Sequence, residues 1–220
     1  MAFTTFKNIN EIVKTYKLYY DSKAFIPSYL ETARKPSDHL LETLNFNLTE
    51  TVYDTSEASL CESIIFPLLQ DAWKPYRDKL FLWSHTSIEA DKDLTGIPDY
   101  LIAQKSEFGR VLGLPLLTTV EAKKDNFSEG WVQCVAQLMA MQKMNEEKGN
   151  YTLFGIVTNG DSWEFARLKN NKLIKNAIHF NVFNINPLYA AIDFVMKSCL
   201  EQIVNTVEEK ATSLSIDLQI

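Results

Sequence analysis

Two extended runs separated by a glycine-containing turn constrain this chain more than any other feature. DYLIAQK (Asp99 to Lys105) and LPLLTTVEAKK (Leu114 to Lys124) flank EFGRVLG, a pattern of apolar runs and turn residues that predicts an antiparallel hairpin. Opposed residues in such a pair have a constant index sum. Asp99 and Glu121 sum to 220, which centres the turn on Arg110, in the middle of EFGRVLG. The spacing therefore sets Asp99 opposite Glu121, where directly opposed Cβ atoms lie roughly 4.5–5.5 Å apart. Side chains alternate along a strand, so Glu121 and Lys123 share one face. Leu116, Thr118, Val120 and Ala122 are expected to point the other way, into the core.

Helical patterns bracket this hairpin. Phe6 to Tyr20 reads as a helix, with Ile9, Ile12, Val13 and Tyr16 on one stripe, and a short helix is expected near Pro36 to Leu44. Asp54 and Glu57 resemble a capping box, with Asp54 as the cap of a helix that Pro67 should kink and that ends before Pro75. Leu80 to Ile88 reads as a strand, Glu129 to Asn145 as a helix, and Tyr151 to Thr158 and Trp163 to Leu168 as strands joined by an Asn159-Gly160 hairpin turn. KNNK marks a further turn, and a last helix is expected after Pro187. Strands concentrated in the middle third and covered by helices define an α/β class.

With 220 residues, 46% hydrophobic and 23% charged, the chain suits one domain with a sizeable core. The formal charge of −6 counts mildly against a protein that coats nucleic acid, but leaves room for a local basic groove. Cys61, Cys134 and Cys199 have no zinc or disulfide spacing and fall in apolar helical patterns, so buried thiols are expected. MAFTTFKNINEI holds no apolar run of signal-peptide length, and the most apolar helical stretch, Leu188 to Val207, is interrupted by Asp193, Lys197 and Glu201. A cytoplasmic location with no membrane partner is the expectation. His39, His85 and His179 show no ligand spacing and are read as structural or surface residues. Asp91 and Asp93 are read as turn residues, and Lys105, Arg110 and Lys124 as solvated.

Two carboxylates this close repel unless a cation intervenes, and one or two carboxylates with waters suit Mg²⁺. A lysine beside them can orient or deprotonate a water, or offset charge developing on a phosphate. The reaction class that follows is metal-assisted phosphodiester hydrolysis.

Ile97-Pro98-Asp99-Tyr100, twenty-one intervening residues after Asp99, and Glu121-Ala122-Lys123 together resemble the PD-(D/E)XK motif in both halves, proline included. Downstream, the helix with Gln133 and Gln137 resembles the glutamine-bearing helix of restriction and recombination members. GIVTNGDSWEFARL resembles the strand pair that follows it in the N-terminal nuclease domains of type I restriction motor subunits. The upstream helix with Glu62 resembles the family's first helix. The resemblance spans about residues 54–168. It implies a restriction-endonuclease-like fold, a four-stranded mixed β-sheet core flanked by helices, within a single nuclease-like domain over residues 1–220, with residues 1–53 and 184–220 as helical additions. It also implies Asp99 and Glu121 as metal ligands for Mg²⁺ or Mn²⁺, with Glu62 as an auxiliary acid at the metal. Lys123 would be the water-activating or charge-stabilising residue, and Gln133 or Gln137 a polar group near the site. The tyrosine common four residues after that glutamine is missing: Gln133 is followed at that spacing by Gln137, and Gln137 by Met141. DNA is the expected substrate and a homodimer a possible assembly. The competing reading is a catalytically inert module that keeps the nuclease fold to bind nucleic acid or protein.

Overall fold

The computed structural model describes residue 6, residues 8–27 and residues 34–217, with side chains as far as residue 206. The expected hairpin forms. Strands β5 (Tyr100–Gln104) and β6 (Leu116–Ala122) pair antiparallel through Tyr100↔Val120, Leu101↔Thr119 and Ile102↔Thr118. The index sum is 220 throughout this stretch. Between Ile102 and Ala103 the register shifts, because Ala103 pairs with Leu116 and Leu117 is left as the extra residue of a bulge. The bulge lies on the turn side, so the open end of the hairpin keeps its register.

Strands β1 (Tyr19–Ser22), β2 (Leu80–Ser84), β7 (Leu153–Thr158), β8 (Ser162–Lys169) and β9 (Lys172–Lys175) join β5 and β6 in the order β1-β9-β8-β7-β6-β5-β2, and β10 (Phe180–Asn181) pairs with β8. Short β3 (Ile88–Glu89) and β4 (Thr95–Gly96) form a separate pair. The main sheet is mixed: β6–β7 and β1–β9 are parallel, and the other pairs are antiparallel. The parallel step from β6 to β7 is bridged by helix α5 (Phe127–Met144), whose Cys134 and Leu138 pack where Gly155 has no side chain. Helix α6 (Ile185–Asp217) covers the opposite face, where the Thr118 hydroxyl lies 3.3 Å from Cys199 Sγ. Every residue of β6 is buried because helices cover both faces of this central strand. The side of Thr118 and Val120 is core, as expected, and the side of Thr119 and Glu121 is covered as well.

Helix α1 (Ile9–Thr15) stops well short of the predicted Tyr20. Lys17 takes a positive φ of 51° and turns the chain into β1, which pairs with β9 from the far end of the sequence. Residues 1–53 are thus not purely helical. Helix α2 (Asp38–Glu50) is capped by Ser37, whose hydroxyl accepts the Leu40 N–H. The next helix starts with α3 (Glu57–Leu60), and its cap is Ser56, not Asp54: the Ser56 hydroxyl accepts the Ser59 N–H. A π turn (Cys61–Ile65) then leads into α4 (Phe66–Trp73), and a short 3-10 turn (Lys74–Tyr76) carries Pro75. Pro67 has no N–H to offer the carbonyl four residues back, that of Ser63. That carbonyl accepts from Asn47 Nδ2 at 2.7 Å, so the orphan created by the proline ties α2 to this helix.

The β7–β8 turn is centred on Gly160-Asp161, one residue later than Asn159-Gly160. Gly160 takes the positive φ of 85°, and Asn159 Oδ1 accepts the Ser162 N–H across the turn. In KNNK both Asn170 and Asn171 have positive φ, which gives a tight hairpin between β8 and β9. Helix α6 begins at Ile185, with Pro187 inside its first turn, earlier than predicted. Cys61, Cys134 and Cys199 are free and buried. Among the described residues, no helix is long and apolar enough to cross a membrane.

Candidate active site

Asp99 and Glu121 meet at the open end of the β5–β6 hairpin. Asp99 precedes β5 by one residue, and its Oδ2 accepts the Ala122 N–H at 2.7 Å across the pair. Glu121 sits on the α5 face of β6 with 6% of its surface exposed. Its Oε2 accepts from Gln137 Nε2 at 2.7 Å, and the Gln137 carbonyl in turn accepts the Thr119 hydroxyl in a short contact. The amide is therefore oriented by Thr119, two residues before the carboxylate it serves. Lys123 Nζ lies 3.3 Å from Glu121 Oε1 and 3.6 Å from Glu57 Oε1.

Lys123 reaches this place because α5 presents a glycine to it. A Cβ on Gly130 would lie 2.9 Å from Lys123 Cγ and 2.8 Å from Val157 Cγ1. The stem of the lysine thus runs against bare helix backbone, and only the ammonium end meets the carboxylates.

The electrostatics follow from burial. Burial first, and then the charge of Asp99, push the Glu121 carboxyl up to about 7, against the opposing pull of Gln137 and Lys123. Asp99 is also raised, chiefly by burial, with partial relief from the Ala122 N–H, His85 and Lys123. Burial alone would lower the Lys123 ammonium, but Glu121 and Glu57 outweigh it and raise its pKa above the ordinary lysine value. The lysine is therefore protonated at neutral pH.

This pair of carboxylates is short of positive charge. The donor set is all oxygen, Asp99 retains 21% side-chain exposure through which waters can reach it, and Glu121 resists ionisation beside it. Those features fit a hard divalent cation. Among the described residues, no group of three or more His, Cys, Asp or Glu gathers into a metal cluster, so the protein ligands available here are two carboxylates.

Glu62 is not joined to this pair in the structure. It is exposed on the π turn, and among the described residues no hydrogen bond or ion pair joins it to Asp99, Glu121 or Lys123; its charge is felt by Tyr100. Glu57, one helical segment earlier, supplies the additional carboxylate through Lys123. The two glutamines also part company. Gln137 bonds Glu121, whereas Gln133 lines a cavity of about 590 Å³ near Trp131 and Lys175, where its Oε1 is buried without a hydrogen-bond partner among the described residues.

One residue read as structural from the sequence joins the site. His85 Nε2 lies 3.6 Å from Asp99 Oδ1, and its backbone N–H donates to the Asp99 carbonyl at 2.9 Å. Ser84 Oγ lies 2.8 Å from His85 Nδ1. The β2–β5 register runs from Leu80↔Gln104 to Ser84↔Tyr100, and one more step sets His85 against Asp99. Pairing arithmetic applied to β2 as well as to β6 is the signal that finds it. Asp91 behaves as a turn residue: its Oδ1 accepts the N–H groups of Asp93 and Leu94, and its Oδ2 pairs with Lys143 at 2.8 Å. No known protein family matches this chain, and no curated protein is similar to it.

Proposed function

We propose that this protein is a metal-dependent nuclease of the PD-(D/E)XK type, acting on phosphodiester bonds, with DNA as the first substrate to test. The observation that carries the reading is the convergence of Asp99, Glu121 and Lys123 at one hairpin end, within hydrogen-bonding or ion-pair reach of one another's supports. A restriction-endonuclease-like core within the larger mixed sheet is part of the same proposal.

Asp99 and Glu121 would hold Mg²⁺ or Mn²⁺. When bound, the ion would supply Lewis acidity toward a phosphate oxygen and lower the pKa of a coordinated water. The Gln137 amide fixes the rotamer of Glu121, and the Ala122 N–H fixes that of Asp99, so both carboxylates are held in place before any ligand arrives. Lys123, held protonated by Glu121 and Glu57, suits a role as a fixed positive charge opposite the developing charge on phosphate better than a role as a base. His85 orients Asp99 from the solvent side.

The test is cleavage of labelled single- and double-stranded DNA and RNA with Mg²⁺ or Mn²⁺, comparing wild type with Asp99→Asn. Metal-dependent cleavage that the variant loses, with an unchanged fold by circular dichroism, is the expected result. Cleavage that persists in Asp99→Asn overturns the assignment. The second reading, an inert module, draws on one observation: both Glu121 oxygens are already engaged, by Lys123 and by Gln137. It predicts no cleavage of any of these substrates.

A further inference from the structure

The sheet carries a second polar feature, on the face turned away from Glu121. Glu121, Val157 and Glu164 are in register across β6, β7 and β8. Glu164 points to the α5 face, where it meets Trp131 Nε1, Lys175 and His179. Alternation along β8 sends Arg167 and Lys169 to the other face. There they line a cleft of about 510 Å³ together with Lys23 and Lys172. In a chain with a formal charge of −6, four cations surround this one opening.

Their arrangement is unfavourable without a ligand. Lys169 and Lys172 are direct cross-strand partners on either side of the Asn170-Asn171 turn, and like charges so placed repel. No carboxylate lines the cleft among the described residues. Among the described residues, the acid in contact with this group is Asp21, 3.8 Å from Lys23, and no ion pair engages Arg167, Lys169 or Lys172. Two of the cations are held by aromatic rings instead. The Arg167 guanidinium lies 4.9 Å from the centre of Phe25, and Lys172 Nζ lies 5.1 Å from the centre of Tyr19, itself 59% exposed. Ring contacts fix the positions of the charges without neutralising them.

The geometry points to a binding site for phosphate groups in this cleft, formed by Lys23, Arg167, Lys169 and Lys172 and separate from the Asp99–Glu121 centre. Phosphate chemistry is favoured over a single carboxylate because several cations face one cavity, and a guanidinium suits phosphate oxygens. The exposed ring of Tyr19 at its edge adds a stacking surface that a nucleotide unit would use. The phosphates can come from the backbone of a nucleic-acid strand or from a free nucleoside polyphosphate. The site does not depend on the cleavage reading, because binding here requires no metal at Asp99.

The experiment measures binding with a chelator present, so that cleavage does not intervene. A labelled single-stranded oligonucleotide and a nucleoside triphosphate are each titrated against wild type, Lys169→Glu and Asp99→Asn. Lys169→Glu keeps the hairpin together, since the new carboxylate faces Lys172, and at the same time removes one cation and engages a second. For the oligonucleotide, losing two phosphate contacts should flatten the slope of log K against log salt by about 1.4, at roughly 0.7 per contact on a single strand. Affinity at moderate salt should drop roughly tenfold. Tighter binding of the oligonucleotide assigns the phosphates to a strand; tighter binding of the triphosphate assigns them to a nucleotide. Either supports the site if Lys169→Glu weakens it and Asp99→Asn does not. Failure of wild type to bind both probes, unchanged binding in Lys169→Glu, or binding lost in Asp99→Asn instead would overturn it.

Discussion

Replacing Glu121 with glutamine should make the metal-free protein more stable at pH 8 and leave it nearly unchanged at pH 5. The Glu121 carboxyl titrates near 7 against an ordinary value of 4.5, and its side chain is almost wholly buried. A carboxylate with a raised folded-state pKa binds its proton more tightly in the folded protein than in the unfolded chain. Stability is then greatest below about 4.5 and is lost as pH rises from there through about 7. At about 1.4 kcal/mol per pKa unit, the ionised group costs the folded state on the order of 3 kcal/mol above pH 7. Glutamine has nearly the same shape and never ionises, which removes this penalty. Its extra N–H donors lack a matched acceptor beside Lys123 and Gln137, at a cost of about 1 kcal/mol at any pH. At pH 5 the wild type has already lost about 1 kcal/mol, so the variant should nearly match it there, and it should be more stable by about 2 kcal/mol at pH 8. For a chain of this size the latter is a rise in Tm of about 4–8 °C. Urea denaturation of both proteins with a chelator, at pH 5 and pH 8, reads the difference directly. Subtracting wild type from variant cancels the titration of every group that does not interact with Glu121. A difference that stays the same at both pH values would refute the reasoning, because it would mean that Glu121 titrates as it does in the unfolded chain.

Lys123→Met should retain metal binding, measured by calorimetry, but lower the cleavage rate by on the order of 10²–10³, the usual effect of removing one preorganised charge from a transition state. Gly130→Ala should destabilise the protein in urea by about 1–2 kcal/mol, because the new Cβ meets Val157 and Lys123 below 3 Å and this strain exceeds the helical gain of alanine; a more stable variant would contradict it. Asn176→Ala should cost about 2–4 kcal/mol, since Asn176 Oδ1 accepts the N–H groups of both Phe25 and Ile26 and its Nδ2 donates to Ile178. Asn176→Asp, which keeps the acceptor, should cost distinctly less in the same denaturation assay.

The central hairpin was legible because it is local. One turn and one index sum bring Asp99 to Glu121, and the bulge at Leu117 falls where it cannot disturb that meeting. Gln137 was visible as a polar residue on a mostly apolar helix, but its separation from Gln133 depends on how α5 is rotated against β6 and β7. His85 was hidden because its role needs the β2–β5 register, and a lone histidine after an aromatic strand carries no signal by itself. Strand β1 was misread because its apolar residues continue the helical stripe of α1. Only the pairing of Tyr19 with Lys172, remote in sequence, makes that segment extended. The same long-range pairing completes the basic cleft, whose charges lie far apart in the sequence, at Lys23 and at Arg167, Lys169 and Lys172.

The choice of Glu57 over Glu62 rests on the π turn at Cys61–Ile65. A π turn is one residue longer than the α-helical turn it replaces. Each residue advances a helix by about 100°, so this extra residue fixes the angle at which everything upstream faces the sheet. Downstream, Pro67 and the Asn47 clamp on the Ser63 carbonyl hold α4 in place; midway, the Tyr100 hydroxyl bonds the Cys61 carbonyl at 3.2 Å, next to Asp99. Deleting one residue within the π turn would rotate Glu57 and the Cys61 carbonyl together by about 100°, more than a quarter of a revolution, taking Glu57 off Lys123 and the Cys61 carbonyl off Tyr100. The irregular turn thus works as a dial, set by a single inserted residue, that decides which acid of this helix is offered to the lysine.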